Sequence, residues 1–230
     1  MIKLAIQSLR LVPPLIAKRT FRNCLWEGPA GCGMVALTFD DGPDPEVTPL
    51  VMDALDEIDG TGTFFMLGKN VREHPELARL VGERKQVIGN HSMDHRRMLF
   101  MSGKEISREI DESQAAISEA AGIEPAFFRP PYGHFSTAVG REVRRRGLTM
   151  ALWTALSGDF EESDPEAVYR QVDRFIRPGA IIVFHDTVNG GGATLPDLVR
   201  RIGATARDRH LRLGGIDQIA AAWKAENSEP

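Results

Sequence analysis

Asp40 and Asp41 stand side by side at the end of an apolar, β-prone run, Met34–Phe39, and Gly42-Pro43 then breaks the backbone. Neighbouring side chains of a strand point to opposite faces, so two adjacent acids at its end can serve different tasks around one site. An acidic turn capping the following helix would account for them just as simply. The segment His91-Ser92-Met93-Asp94-His95 argues for more, because it holds the only two histidines at ligand spacing. Two imidazoles four residues apart can meet on one divalent ion, and a carboxylate from elsewhere completes a three-ligand set with an open position for water. This pair follows a second apolar run, Gln86–Gly89. Two further apolar runs end in useful groups, at Phe127-Phe128-Arg129-Pro130-Pro131-Tyr132-Gly133 and at Ile181-Ile182-Val183-Phe184-His185-Asp186. Stability alone does not require four strands that end in polar, reactive side chains.

Thr38-Phe39-Asp40-Asp41-Gly42-Pro43, the His91/His95 pair, Arg129-Pro130-Pro131-Tyr132-Gly133 and Val183-Phe184-His185-Asp186 resemble, in order, the motifs of the polysaccharide deacetylases, the carbohydrate esterases of the NodB-homology type (family 4). The resemblance spans residues 38–186. It implies an α/β fold, a single-domain distorted (β/α)7 barrel, and metal-dependent N-deacetylation of amino sugars.

By the same resemblance Asp41, His91 and His95 bind a divalent metal ion, Zn²⁺ first among them. Asp40 is the general base, Arg129 the cation that holds it, and His185 the general acid for the departing amine. The backbone N–H of Tyr132 stands in the oxyanion hole, with Pro131 beside it in the substrate-binding turn. The remaining motif departs from the family pattern: in Leu156-Ser157-Gly158-Asp159-Phe160, Asp159 fits the acid that tunes the catalytic histidine. Asp159 is the second acid of that motif; Leu156, however, replaces the first and Phe160 replaces a tryptophan. Val183 stands where the family often has leucine against the acyl methyl, so Phe160 and Val183 are expected to form the apolar wall of the site. His134 could touch substrate, but a loop histidine is more often structural. Trp26 and Trp153 read as packing residues, Asp186 as a brace at a strand end, and His74 and His210 as solvated.

The elements that position these residues follow from composition and period. At 230 residues, 42% hydrophobic and 26% charged, the chain can bury one core but is short for two. Strand candidates are Met34–Phe39, Thr63–Leu67, Gln86–Gly89, Ala126–Phe128, Thr149–Ala155, Ala180–Phe184 and Leu211–Leu213, most of them followed by a helix. That alternation predicts a mainly parallel sheet. Val47, Leu50, Val51, Ala54, Leu55 and Ile58 mark one face of a helix, opened by Asp44 as N-cap and Pro45. Asp164-Pro165 opens another, running to Ile176, and a third carries Ile106, Ile110 and Ile117 and ends near Gly122. In a βα barrel the loops after the strands converge, which would gather all the motifs at one end.

Residues 1–26 carry Lys3, Arg10, Lys18, Arg19 and Arg22 and no acid, +5 against −9 for the remainder. Residues 1–32 therefore read as a basic N-terminal arm and 33–230 as the deacetylase-like domain. Arg10 and Pro13-Pro14 interrupt the apolar stretches, so neither a signal peptide nor a span of roughly 20 apolar residues is expected. Cys24 and Cys32 are too few for a disulfide framework and read as free thiols in a reducing compartment. The expectation is a cytoplasmic, membrane-peripheral enzyme whose partner is an N-acetylated glycan. Nucleic acid is excluded by the acidic body. Two alternatives are a deacetylase or deformylase of a lipid-linked sugar at the inner face of the membrane, and a non-catalytic carbohydrate-binding protein. The arm predicts adsorption to anionic but not neutral vesicles, weakening with salt and lost on deleting residues 1–26. Equal partitioning onto both vesicle types in a sedimentation assay contradicts it.

Overall fold

The structure is a computed structural model in which residues 24–162 and 164–227 are described. Most of the basic arm, and with it the expected membrane contact, lies outside the described residues. Among those residues no helix is long and apolar enough to cross a membrane.

The strands are β1 (Met34–Asp40), β2 (Thr63–Met66), β3 (Val87–Asn90), β4 (Phe127–Phe128), β5 (Thr149–Met150), β6 (Ala155–Leu156), β7 (Ile181–His185) and β8 (Arg212–Leu213). All pairs are parallel, in the order β5-β4-β3-β2-β1-β7-β6, and β8 lies beside the start of β1. The helices are α1 (Thr48–Glu57), α2 (Gly68–Glu73), α3 (Pro75–Glu83), α4 (Gly103–Ala121), α5 (Thr137–Arg145), α6 (Pro165–Asp173), α7 (Leu195–Asp208) and α8 (Ile216–Asn227). This is the expected distorted βα barrel.

Burial follows the two-residue strand period. On β1, Val35, Leu37 and Phe39 pack outward in the core shared with the helices, with Phe64 of β2 and Phe184 of β7. Met34 and Ala36 of β1, Phe65 of β2 and Ile181 of β7 belong to a second cluster, inside the curl of the sheet. Both faces are covered, which is why β1 reads as one unbroken apolar run and is buried throughout. The inward set of β1 continues through Thr38 to Asp40, and that of β7 through Val183 to His185. The apolar period therefore carries both polar residues into the mouth of the barrel.

Three expectations change. The run Thr149–Ala155 is not one strand but two, because its partner switches midway: Leu152 N–H donates to the carbonyl of Leu25, and Thr154 N–H to that of Ile181 on β7. Leu25, fully buried, bridges Ala151 and fills the seam between the two ends of the sheet. The charge-based boundary at residue 32 thus falls inside packed structure. Asp44 does cap, but it caps the turn before α1, accepting from Glu46 N–H and Val47 N–H at 2.8 and 3.1 Å, and the helix proper starts at Thr48. Elsewhere the local signals hold. Asp164 caps α6 through Glu166 N–H, although that helix closes at Asp173. Ser102 and Glu105 form a reciprocal capping box on α4, which ends at the left-handed Gly122.

Phe65 lies beside Gly89 in the register of β2 and β3, and a Cβ built on Gly89 would stand 2.4 Å from the Phe65 ring. The ring is fully buried and has nowhere to retreat. Gly89→Ala should therefore cost about 1–3 kcal/mol in denaturant unfolding, as overpacked cores do; an unchanged midpoint would show that the inner layer is loosely packed.

Candidate active site

The inner face of the barrel ends in a fully buried guanidinium. Arg129, just past β4, donates through Nη1 to Asp40 Oδ1 at 2.6 Å and to Thr38 Oγ1 at 2.8 Å. Nη2 donates to the carbonyl of Leu152 at 3.0 Å and Nε to that of Ala151 at 3.3 Å. The guanidinium carbon lies 4.0 Å from the centroid of the Phe65 ring. Asp40 is thereby fixed in direction, with Oδ2 facing His91 Nε2 at 3.9 Å.

Asp41 turns the other way, in a left-handed conformation with φ 74°. Its Oδ1 lies 3.2 Å from His95 Nε2 and 3.5 Å from His91 Nε2. His91 Nδ1 sits 2.8 Å from the carbonyl of Arg129, which can only accept, so the ring donates there and presents the Nε2 lone pair to Asp41. Burial pushes the His91 pKa down to about 3 and also lowers that of His95, keeping both rings in the neutral, metal-ligating form. Asp41 Oδ1 is buried without a hydrogen-bond partner. A carboxylate oxygen and two imidazole nitrogens, each able to offer a lone pair, lie within 4.8 Å of one another. A divalent cation satisfies all three, and the residues present fit one. Ser92, His95 and Tyr132 share the positive φ of Asp41, at 74°, 57° and 58°. Such conformations cost non-glycine residues on the order of 1 kcal/mol each and gather where function demands them.

His185, at the end of β7, answers to Asp159. Its Nδ1 lies 2.8 Å from Asp159 Oδ1, its backbone N–H donates to Oδ2 at 2.7 Å, and Ser157 Oγ donates to Oδ1 at 2.7 Å. Burial works against the charged imidazole, but the hydrogen bond and charge of Asp159 outweigh it and raise the pKa to about 9. Phe160 sets its ring edge-on to His185 at 5.2 Å between centroids. Asp186, also fully buried, accepts from Thr48 Oγ1 at 2.5 Å, and burial raises its pKa well above the usual carboxylate range. It braces the strand end, as its position in the sequence implies.

These groups line one cavity of about 510 Å³. Asp40, Asp41, His91, His95, His185, Tyr132 and Phe160 all reach its wall; Asp159 and Arg129 act from behind it. Pro131 and Val183 do not line it. Pro131 is buried at the start of the turn Pro131–Gly133. Val183 points the same way as His185 but one layer deeper, two residues earlier on its strand. Leu156 and Trp153 supply the apolar wall instead. Trp153, read as packing, presses on Gly133, where a Cβ would stand 2.2 Å from its ring. Arg97, His134 and Glu161 complete the rim. Loop residues of this kind carry no period, so only proximity to a motif marks His134 and could have marked Arg97.

A family model described as polysaccharide deacetylase matches residues 27–151. The chain is 31% identical over 197 residues to the peptidoglycan-N-acetylmuramic acid deacetylase PdaC of Bacillus subtilis, covering 85% of this chain and 40% of that protein. It is 34% identical over 153 residues to a chitooligosaccharide deacetylase of Azorhizobium caulinodans, covering 66% of this chain and 73% of the relative. It spans less than two thirds of the length of several curated relatives that it matches. A solved carbohydrate esterase family 4 pseudoenzyme from Bacillus anthracis superposes with a TM-score of 0.80 at 25% identity, over 86% of this chain and 68% of that one. The order of the motifs, the curled parallel sheet that gathers them and a match across more than half of the sequence lead to one assignment: the chain belongs to the polysaccharide deacetylase family.

Proposed function

We propose that the protein is a metal-dependent N-deacetylase of amino sugars in a poly- or oligosaccharide, hydrolysing the acetamide to a free amine and acetate. The observation that carries this reading is the division of labour between adjacent acids. Arg129 holds Asp40 apart, while Asp41 closes on His91 and His95. A binding module has no need of that separation, nor of a histidine charged through a buried carboxylate. The relatives named for peptidoglycan and chitooligosaccharide deacetylation support the substrate class.

Asp41, His91 and His95 would hold the ion, zinc by the nature of the donors, and it would supply Lewis-acid polarisation of the amide carbonyl and a more acidic water. Asp40 takes the proton of the attacking water on Oδ2, the oxygen that Arg129 leaves open. The backbone N–H of Tyr132, in the turn that Gly133 and His134 close by donating to Pro130 and Pro131, is the protein donor assigned to the developing oxyanion. His185 has Nδ1 committed to Asp159, so Nε2 carries the proton that the departing nitrogen receives as the C–N bond breaks. Trp153, Leu156 and Phe160 keep water from the acyl side of the cavity.

Two experiments test these roles. Asp40→Asn keeps the shape of the base and removes its basicity; acetate release from chitooligosaccharides should fall by about 10²–10⁴-fold with metal content retained. His95→Ala should instead be folded and metal-poor by elemental analysis. If Asp40→Asn loses its metal as fully as His95→Ala, the two acids have been assigned the wrong way round.

Asp159 raises the pKa of His185, so removing its charge must lower it. A general acid works only while protonated, and the alkaline limb of kcat/KM therefore moves to lower pH in Asp159→Asn, by about one to three units. An alkaline limb that stays in place would separate His185 from the acid step.

A further inference from the structure

Among the described residues Arg97 is the only arginine or lysine on the cavity wall. It lies two residues past His95, before the turn Met98–Phe100, and its side chain is exposed. Its neighbour Arg96 is engaged with Glu105 and Glu109. Among the described residues no carboxylate lies within ion-pair distance of Arg97. Its guanidinium carbon rests 4.8 Å from the centroid of the Tyr132 ring, and that ring lies 4.5 Å from the His95 ring. One aromatic ring therefore separates an uncompensated cation from a residue of the candidate metal set. Stacking fixes the plane of the fork and leaves its edge N–H groups free to donate. Phe160 and the exposed acid Glu161 also line the cavity. The exposed rim thus carries both signs of charge, positive at Arg97 and negative at Glu161.

We infer that Arg97 is a specificity-determining residue that reads an anionic substituent, of carboxylate type, on the amino sugar being processed or on the sugar next to it. The inference rests on the deacetylase reading and names the substrate class within it. A planar fork held by stacking matches a carboxylate through paired hydrogen bonds, whereas a neutral glycan leaves the guanidinium without an ionic partner. Glu161 repels the same anion, so a carboxylate is favoured beside Arg97 and disfavoured beside Glu161. At a solvent-exposed rim the gain is modest, roughly five- to tenfold in kcat/KM.

The test compares two oligosaccharides of equal length. In one, the amino sugar carries a 3-O-lactyl carboxylate; in the other, that group is methyl-esterified, which keeps the shape and removes the charge. The full-length, metal-loaded enzyme should prefer the acid by roughly five- to tenfold at low salt, and the preference should shrink as ionic strength rises. Arg97→Gln should bring the acid-to-ester ratio close to one, Arg97→Lys should retain part of it, and Arg97→Glu should invert it. Equal rates on acid and ester with the unaltered enzyme overturn the inference. So does an Arg97→Gln variant that loses rate on both substrates alike, since that marks a residue that only props Tyr132. If neither sugar releases acetate, the deacetylase reading fails, and calorimetric affinities for the same pair decide Arg97 separately: tighter binding of the acid supports its role, and equal binding removes it.

Discussion

The buried pair of Arg129 and Asp40 is the constraint on which the rest of the structure depends. A guanidinium with no access to water carries a large desolvation cost, and burial accordingly lowers its pKa against the pull of Asp40. The fold offsets that cost with a hydroxyl and a carboxylate from β1, two carbonyls from the chain after β5, and the face of Phe65 from β2. Each acceptor comes from a different level or wall of the barrel, so satisfying one side chain fixes the relative positions of three strands. The same residue also acts through its backbone, since its carbonyl fixes the tautomer of His91. Asp40 and the candidate metal set are thus positioned by one residue, from two of its ends.

Much of this was legible in the sequence because it is local. The apolar runs, the turn residues after them and the cap at Asp164 depend on neighbours within a few positions, and those features appear where the residues imply. What failed was non-local. Nothing within Thr149–Ala155 says that its first half pairs with β4 and Leu25 while its second half pairs with β7. An extended run looks the same whether it keeps one partner or changes it. The arm boundary failed for a related reason: charge composition marked residues 1–32, whereas the apolar Leu25 within it closes a seam more than a hundred residues away in sequence. Val183 was placed on the right face and at the wrong depth, because alternation fixes the side of a sheet and not the height along it. Arg97, Glu161 and Trp153 reach the cavity only through loop geometry.

Electrostatics within the cavity divide by depth. Near the floor two charges have protein partners, Asp40 in Arg129 and His185 in Asp159, while Asp41 faces the neutral rings of His91 and His95. Towards solvent, Arg97 and Glu161 have none among the described residues. Groups that must hold one geometry are desolvated and paired, and those left to meet a changing ligand stay hydrated, where an unpaired charge costs little. Asp186 is the exception at depth, a carboxyl that burial favours in its neutral form and that serves as a hydrogen-bonding strut beside Gly42. A Cβ at Gly42 would come within 2.3 Å of it, so side chain and turn exclude any larger neighbour.

The left-handed backbone at Asp41, Ser92, His95 and Tyr132 has an evolutionary consequence. Residues held in disfavoured conformations are sustained by the surrounding fold and contribute little to it in return. Glycine would occupy all four positions with less backbone strain than the side chains now there, so backbone conformation does not oppose drift away from them. Selection for chemistry alone keeps these side chains in place. A lineage released from that selection would lose its reactivity first and keep its architecture long afterwards.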